Sequence, residues 1–257
     1  QDGQVPLGAG AEEPAVGNQV PRDSDHLVGA VIRPTGTRVS GAALRRMLGL
    51  PDGPPDEVTG VTLDSRRVLP GDLYAALPGA HTHGARFAAM AQSAGAVAVL
   101  TDPSGAEIMR GDPGCMLPVL VVDDPRAVLG PVSAWVYGQP AAALTTTGIT
   151  GTNGKTTTSY LIDAALRAAG RSTGLIGTVA TQIGDEVMPA VRTTPEAPDV
   201  HALLAVMRER GVSDVTMEVS SHALELGRVD GVRFDLAVFT NLTRDHLDFH
   251  GDLDSYF

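Results

Sequence analysis

A glycine-rich run in the middle of the chain, Gly148-Ile-Thr-Gly-Thr-Asn-Gly-Lys-Thr-Thr157, most restricts the folds open to it. A β-rich stretch (144–150) precedes it and a helical pattern (155–169) follows it. A turn of this kind points several backbone N–H groups and the positive end of a helix at one place, which suits a phosphate. Lys155 can reach terminal phosphates and the Thr156 hydroxyl can bind Mg²⁺. The run therefore predicts an α/β fold with a P-loop-type ATP site.

The spacing of this loop differs from the general P-loop pattern, G-x-x-x-x-G-K-[ST], which would need glycine where the chain has Ile149. The alternative is a strand–helix turn with a lysine facing solvent. The flanking strand and helix and the Lys-Thr-Thr sequence favour a phosphate site. The predicted nucleotide ligands are Gly151, Thr152, Asn153, Gly154, Lys155, Thr156 and Thr157.

Strand and helix patterns alternate on both sides of the loop, which predicts parallel sheets covered by helices. Residues 1–36 are rich in Gly and Pro and are expected to form a flexible leader. We expect a small N-terminal α/β domain over 37–138 and a parallel-sheet ATP-binding domain over 139–257. Predicted strands cover 58–63, 72–77, 96–100, 119–122, 144–150, 173–179, 215–219 and a buried 236–239, and predicted helices cover 42–48, 84–95, 124–137, 155–169 and 199–209.

Composition excludes several classes of partner. The net charge is −11 and no Lys/Arg run is present, so nucleic acid is not an expected partner. No apolar run approaches the roughly 20 residues that span a bilayer, so we expect no membrane insertion. The first 25 residues lack the pattern of a signal peptide. The single cysteine, Cys115, fits a reducing compartment, which predicts a cytoplasmic protein.

Polar side chains follow two further strands. Glu218 lies at the end of the predicted strand 215–219, and Asp245, His246 and Asp248 follow the strand 236–239. Because parallel strands end at one edge of a sheet, these groups are expected to meet the phosphate loop there. Glu218 would bind Mg²⁺ and His246 a second metal ion. The alternatives are a surface salt bridge for Glu218 and a structural role for His246.

The phosphate loop resembles the ATP loop of the Mur ligases and of folylpolyglutamate synthase, their relative. Two further segments also resemble Mur ligases: Met217-Glu-Val-Ser-Ser-His-Ala-Leu224 and Phe239-Thr-Asn-Leu-Thr-Arg-Asp-His-Leu-Asp-Phe-His-Gly-Asp252. The resemblance runs from about Thr62 to Phe257. The chain is thus identified as a member of the Mur ligase family.

The resemblance also implies the roles of individual residues. Leu63 and Ser65 would contact uridine, and Ala80, His81 and Thr82 would lie near a diphosphate. The segment Arg192-Thr-Thr-Pro195 resembles the loop that holds the sugar-peptide, although the family often has Asn at the position of Arg192. The implied substrate ligands there are Thr193, Thr194, Ser220 and Arg228, the implied metal ligands are Thr156, Glu218 and His246, and the implied catalytic residues are Lys155, Glu218 and His246.

The implied reaction is ATP-dependent amide formation in peptidoglycan synthesis. It would join the third amino acid of the stem peptide to a UDP-N-acetylmuramoyl dipeptide through an acyl phosphate, with Mg²⁺. Diaminopimelate and lysine are the choices, and a Gly-, Ala-, Arg- and Pro-heavy composition favours diaminopimelate. The resemblance also implies a third domain and a carbamoylated lysine beyond Phe257. The chain alone is therefore expected to bind nucleotide weakly and not to turn over.

Two other functions remain open at this point. A folylpolyglutamate synthase-like ligase would share the phosphate loop but would lack the segment Leu63-Asp-Ser-Arg66 before it. A non-catalytic module would only bind a nucleotide or a UDP-sugar. Intact Lys155, Glu218 and His246 argue against the second alternative.

Overall fold

The computed structural model describes residues 31–245 and 247–257, so most of the predicted leader and His246 lie outside the described residues. Residues Val31–Phe257 form one compact unit. Arg33 Nη2 lies 3.3 Å from Asp72 Oδ2, and Ile32 packs against a buried apolar cluster. The folded part of the chain therefore begins before residue 37.

The predicted α/β class is confirmed, with two sheets of parallel or mainly parallel strands and a short antiparallel pair. The strands are β1 Val39–Ser40, β2 Glu57–Val58, β3 Gly60–Thr62, β4 Asp72–Ala75, β5 Ala98–Thr101, β6 Val119–Val121, β7 Thr145–Thr150, β8 Thr173–Ile176, β9 Ala180–Ile183, β10 Glu186–Pro189, β11 Asp214–Glu218 and β12 Leu236–Phe239. The helices are α1 Gly41–Met47, α2 Ala88–Ser93, α3 Pro103–Arg110, α4 Pro125–Val136, α5 Lys155–Ala168, α6 Ala197–Glu209, α7 Ser221–Glu225, α8 Leu247–His250 and α9 Leu253–Tyr256.

The first sheet contains β3, β4, β5 and β6 in sequence order, all parallel. Strands β4 and β5 are buried along their whole length. This is typical of strands in a parallel sheet that is covered on both faces. Aspartates begin the helices that follow β5 and β6: Asp102 accepts from Gly105 N–H and Asp124 from Ala127 N–H. Proline follows each cap at the first helical position, where its missing N–H costs nothing.

The second sheet has the order β10-β9-β8-β11-β7-β12. Its strands β8, β11, β7 and β12 are parallel, whereas β9 and β10 form an antiparallel hairpin. The predicted parallel sheet is confirmed over these four strands, and the hairpin adds two antiparallel strands that the sequence analysis did not predict. The carboxyl ends of the four parallel strands lie at one edge, which is where the phosphate loop begins.

Strand β12 is not the buried strand that its apolar sequence predicted. It forms the edge of the second sheet, and Leu236 and Phe239 are each 54% exposed. Two other boundaries also differ. Strand β8 ends at Ile176 rather than 179, and the helix predicted over 84–95 is a 3-10 turn, Gly84–Phe87, followed by α2.

Helix α6 packs on both apolar clusters of the molecule. Ala202 and Ala205 belong to the cluster that includes Leu100 of the first sheet. Leu204 and Met207 belong to the cluster of the second sheet. The two sheets lie on either side of residue 138 in the sequence, as the predicted domain boundary requires. They nevertheless share α6, so the boundary stays a prediction.

Candidate functional site

The phosphate loop joins β7 to α5 in a conformation that needs glycine at two positions. Gly151 has φ +124° and Gly154 has φ +87°, values that side chains with a Cβ rarely adopt. Lys155 Nζ donates to the carbonyls of Gly151, at 2.6 Å, and Thr152, at 3.1 Å. These two hydrogen bonds hold its ammonium over the loop, at the start of α5. Lys155 is the one lysine in the sequence.

Glu218, the last residue of β11, is fully buried beside this loop. Its Oε2 accepts from Thr156 Oγ1 at 2.8 Å and from Thr178 Oγ1 at 2.9 Å. Its Oε1 accepts from Thr178 N–H at 3.0 Å, and Ser159 Oγ lies 3.5 Å away. Within residues 31–245 and 247–257, no salt bridge to Glu218 is present. The carboxylate is thus surrounded by hydroxyl groups rather than by cations.

These surroundings fit a Mg²⁺ ion. A buried carboxylate without a counter-charge is costly, so a cation beside it would be strongly favoured. Mg²⁺ prefers hard oxygen ligands, and Thr156 and Glu218 offer a hydroxyl and a carboxylate in direct contact. Among the described residues, no cluster of three or more His, Cys, Asp or Glu could hold a metal ion. Mg²⁺ bound with a triphosphate takes one or two carboxylates together with the phosphates, and this pair of side chains would suit such an ion.

Of the two threonines predicted to bind substrate, Thr194 contacts Glu218 directly and Thr193 contacts its neighbour Thr178. Thr194 is buried, and its hydroxyl donates to the Glu218 carbonyl at 2.9 Å and accepts from Ser220 N–H at 3.1 Å. Thr193 Oγ1 lies 3.0 Å from Thr178 Oγ1, within hydrogen-bonding distance. Ser220 also caps α7 by accepting from Ala223 N–H. The structure thus brings together the ends of β8 and β11 and the loop before α6.

Three arginines surround one carboxylate next to this group. Glu196 accepts from Arg126 Nη1 at 2.9 Å and from Arg192 Nη1 at 2.7 Å. Arg228 Nε lies 3.0 Å from Glu196 Oε1 without the alignment of a hydrogen bond, and its Nη1 donates to the Thr194 carbonyl at 3.3 Å. Three positive charges thus face one negative charge.

The electrostatics of Arg228 reflect this imbalance. Burial lowers the pKa of its guanidinium, and the like charges of Arg192 and Arg126 lower it further, while Glu196 opposes them. An additional anion would relieve this repulsion. The cluster is therefore suited to an acidic ligand.

The residues expected to lie near the uridine and the diphosphate follow strands at the carboxyl edge of the first sheet. Leu63 and Ser65 follow β3, and Ala80, His81 and Thr82 form an exposed turn after β4. Ser65 is buried, with its Oγ 3.4 Å from Met90 Sδ. Over the described ranges, 31–245 and 247–257, no hydrogen bond or ion pair joins these residues to the group around Glu218. The residues after β3 and those after β4 do share one edge of the first sheet, because β3 and β4 are parallel neighbours.

Several residues that hold the site were missed from the sequence. Thr178 contacts both Glu218 oxygens, and Ser159 lies one helical turn after the loop. Its position just after an apolar strand could have indicated Thr178, but the strand predicted over 173–179 includes it, whereas β8 ends at Ile176. His246, the expected second metal ligand, lies outside the described residues, so its role stays a prediction. None of the described helices is long and apolar enough to cross a bilayer.

Two family models match the sequence: "Mur ligase family, catalytic domain" over residues 57–134 and "Mur ligase middle domain" over residues 149–257. The UDP-N-acetylmuramoyl-L-alanyl-D-glutamate--2,6-diaminopimelate ligase of Streptomyces avermitilis is 62% identical over 201 residues, which cover 78% of this chain and 39% of that protein. The enzyme of the same name from Streptomyces coelicolor is 57% identical over 229 residues, covering 87% and 44%.

A solved structure of a ligase of that name superposes with a TM-score of 0.69 at 29% identity, covering 85% of this chain and 43% of that one. The chain thus spans about two fifths of the length of the relatives that it matches. The two family models span strands of both sheets and the phosphate loop.

Proposed function

The chain belongs to the Mur ligase family, and from that premise we propose that it carries the ATP and acceptor sites of a peptidoglycan ligase. The reaction is the addition of diaminopimelate to UDP-N-acetylmuramoyl-L-alanyl-D-glutamate, the activity named for its Streptomyces relatives. The partners are that UDP-linked dipeptide and an amino acid. The proposed location is the cytoplasm, where ATP is available, and the proposed role is in cell wall biogenesis, cell shape and division.

The observation that carries this proposal is the buried contact between the phosphate loop and Glu218. Thr156 Oγ1 and Glu218 Oε2 are 2.8 Å apart, and Glu218 has no exposed surface. A hydroxyl and an uncompensated carboxylate at the start of a phosphate-binding helix are what a nucleotide-bound Mg²⁺ requires. In a Gly-rich turn that binds no nucleotide, a buried carboxylate without a counter-charge would only cost folding free energy.

In the proposed chemistry the γ-phosphoryl group of ATP is transferred to the free D-glutamate γ-carboxylate, and ADP leaves. The acyl phosphate formed is then attacked by the amine of diaminopimelate, which releases phosphate and leaves an amide. In the first step two anions approach, and like charges about 4 Å apart repel by roughly 4 kcal/mol at an effective dielectric near 20. Lys155 and the free N–H groups at the start of α5 offset this repulsion. Mg²⁺ held by Thr156 and Glu218 would supply further charge neutralisation.

On the acceptor side, the chain offers hydroxyls and guanidinium groups. Thr194 contacts Glu218 through its hydroxyl and Arg228 through its carbonyl, and Thr193 contacts Thr178. An acidic dipeptide would place its reactive carboxylate beside the threonines. Its other anionic group would reach Arg228 and Arg192.

The single lysine allows a direct test of nucleotide binding. An amine-reactive acylating reagent can modify Lys155 and the N-terminal amine and no other side-chain amine. We expect MgATP to protect Lys155 from acylation, which mass spectrometry of the peptide that contains it would show, while the N-terminal amine reacts as before. Equal acylation of Lys155 with and without saturating MgATP would contradict the proposal.

The role of Glu218 is tested by thermal unfolding with ATP, with and without Mg²⁺. We expect the wild-type chain to be stabilised more by MgATP than by ATP with a chelator. Lys155→Ala should lose most of the ATP response, and Glu218→Gln should lose the added effect of Mg²⁺. ATP stabilisation that is independent of Mg²⁺ in the wild type would favour a simple nucleotide-binding module.

A further inference from the structure

Residues 151–153, the first half of the phosphate loop, are hydrogen-bonded to the segment that follows β12. This segment, residues 240–243, is called the 240–243 segment. Thr152 N–H donates to the Asn241 carbonyl at 2.9 Å. Thr152 Oγ1 accepts from Thr243 N–H at 2.9 Å and donates to its carbonyl at 3.1 Å. A Cβ on Gly151 would lie 2.2 Å from Thr240 Oγ1, so glycine is needed for this approach. The loop and the 240–243 segment thus share a hydrogen-bonded surface.

The side chain of Asn241 makes the most specific contact of this surface. Its Oδ1 accepts from Asn153 N–H at 3.1 Å, and its Nδ2 donates to the Asn153 carbonyl at 2.9 Å. That carbonyl also accepts from Thr240 Oγ1 at 2.8 Å. The peptide units on both sides of Asn153 are therefore fixed by one amide group.

Fixing the Asn153 carbonyl also fixes the direction of the next N–H. A peptide unit is planar and trans, so the N–H of Gly154 points opposite to the carbonyl of Asn153. The N–H groups of Gly154 and of 155–157, in the first turn of α5, have no acceptor within residues 31–245 and 247–257. The loop is thus divided into a fastened half, 151–153, and a half whose N–H groups are free, 154–157.

We propose that Asn241 is a positioning residue for nucleotide binding, acting through the backbone of the phosphate loop. Its amide aims the free N–H groups of residues 154–157 at the nucleotide phosphates without itself touching them. This inference rests on the proposed ATP site. Loss of both hydrogen bonds should weaken MgATP binding about tenfold.

Two substitutions of Asn241 separate positioning from space filling. Asn241→Ala removes both hydrogen bonds, whereas Asn241→Asp keeps the shape and the acceptor but loses the donor to the Asn153 carbonyl. We expect both to weaken MgATP binding, with little change in the unfolding temperature without nucleotide. Binding is measured at raised ionic strength, because salt screens repulsion between the new carboxylate and the phosphates. Gln92→Ala is the control and should bind as wild type, because it removes an amide on α2 that likewise accepts from a backbone N–H, that of Met116, and donates to a backbone carbonyl, that of Gly114.

The outcomes separate this inference from the proposed function. Wild-type affinity in Asn241→Ala, or full recovery in Asn241→Asp, would overturn the positioning role alone. A wild-type chain without any response to MgATP would overturn the positioning role and the ATP site together.

A measurement on the wild-type chain keeps the inference testable if the variants fold poorly. We expect site-resolved amide exchange to show slow exchange at Thr152 and Asn153 without nucleotide. The N–H groups of 154–157 should exchange quickly and become protected only when MgATP is added. Fast exchange at Thr152 and Asn153 until nucleotide binds would overturn the division of the loop.

Discussion

Gly177 sets how closely the turn after β8 can approach the buried carboxylate. A Cβ at this position would lie 2.3 Å from Glu218 Oε1, so Gly177→Ala should displace the carboxylate from the threonine hydroxyls. Overpacking of this kind costs about 1–3 kcal/mol of stability. We expect the variant to lose most of the Mg²⁺-dependent part of its stabilisation by ATP, measured as the shift in unfolding temperature.

Gly111→Ala is the matched control for this change. Gly111 ends α3 with φ −80°, and the nearest atom to an added Cβ is 3.4 Å away. It should keep the full response to MgATP. If Gly177→Ala also kept it, the carboxylate of Glu218 would not be the group that makes ATP binding depend on Mg²⁺.

Single residues of the site were predictable only where their position in a strand decides their role. Glu218 could be placed because it follows an apolar run at the end of a parallel strand. Asn241 also follows a strand, but its role depends on a contact with a loop 88 residues earlier, which no local pattern reveals. The arginine cluster joins three positions distant in sequence, so it too needed the tertiary structure.

Helix α6 contains a histidine whose environment should make stability depend on pH. His201 is fully buried, its Nε2 is 2.9 Å from the Asp230 carbonyl, and its Nδ1 has no hydrogen-bond partner. Burial lowers its pKa from 6.5 to about 4, while the bond to Asp230 partly opposes this. Below pH 6.5 the unfolded chain therefore takes up a proton that the folded chain does not, and stability falls from pH 6.5 towards about 4.

The expected loss from this group between pH 7 and pH 5 is about 2 kcal/mol. Urea unfolding at both pH values would measure it. His201→Gln can still donate to the Asp230 carbonyl but does not titrate, so its stability should change less over this interval. Parallel losses in the variant and the wild type would show that other groups cause the acid sensitivity.

At the level of elements, the sequence predicted what depends on local pattern. Strands β4, β5 and β7 are short, β-rich or apolar runs, and all were located within a few residues. The hairpin of β9 and β10 was missed, because Gln182 and Glu186 interrupt any apolar run. Strand β12 was located but wrongly expected to be buried, since coverage of a strand depends on its neighbours rather than on its own residues.

Across the whole molecule, α6 connects what the sequence suggested were separate domains. It is buried from Val200 to Met207, with Ala202 and Ala205 in one apolar cluster and Leu204 in the other. A helix that packs on both sides transmits loss of structure in one sheet to the other. The chain is therefore expected to unfold in one transition, although its sequence pattern suggests a boundary near residue 138.

The single tryptophan makes this expectation measurable. Trp135 lies on α4 and packs against the cluster of the first sheet, whereas Leu204 lies in the cluster of the second. Leu204→Ala should cost about 2–5 kcal/mol and should lower the midpoint seen by Trp135 fluorescence as much as that seen by circular dichroism. Leu161→Ala, at a side chain 67% exposed, should change neither midpoint appreciably. A fluorescence midpoint that stays at the wild-type value in Leu204→Ala would mean that the two sheets unfold independently.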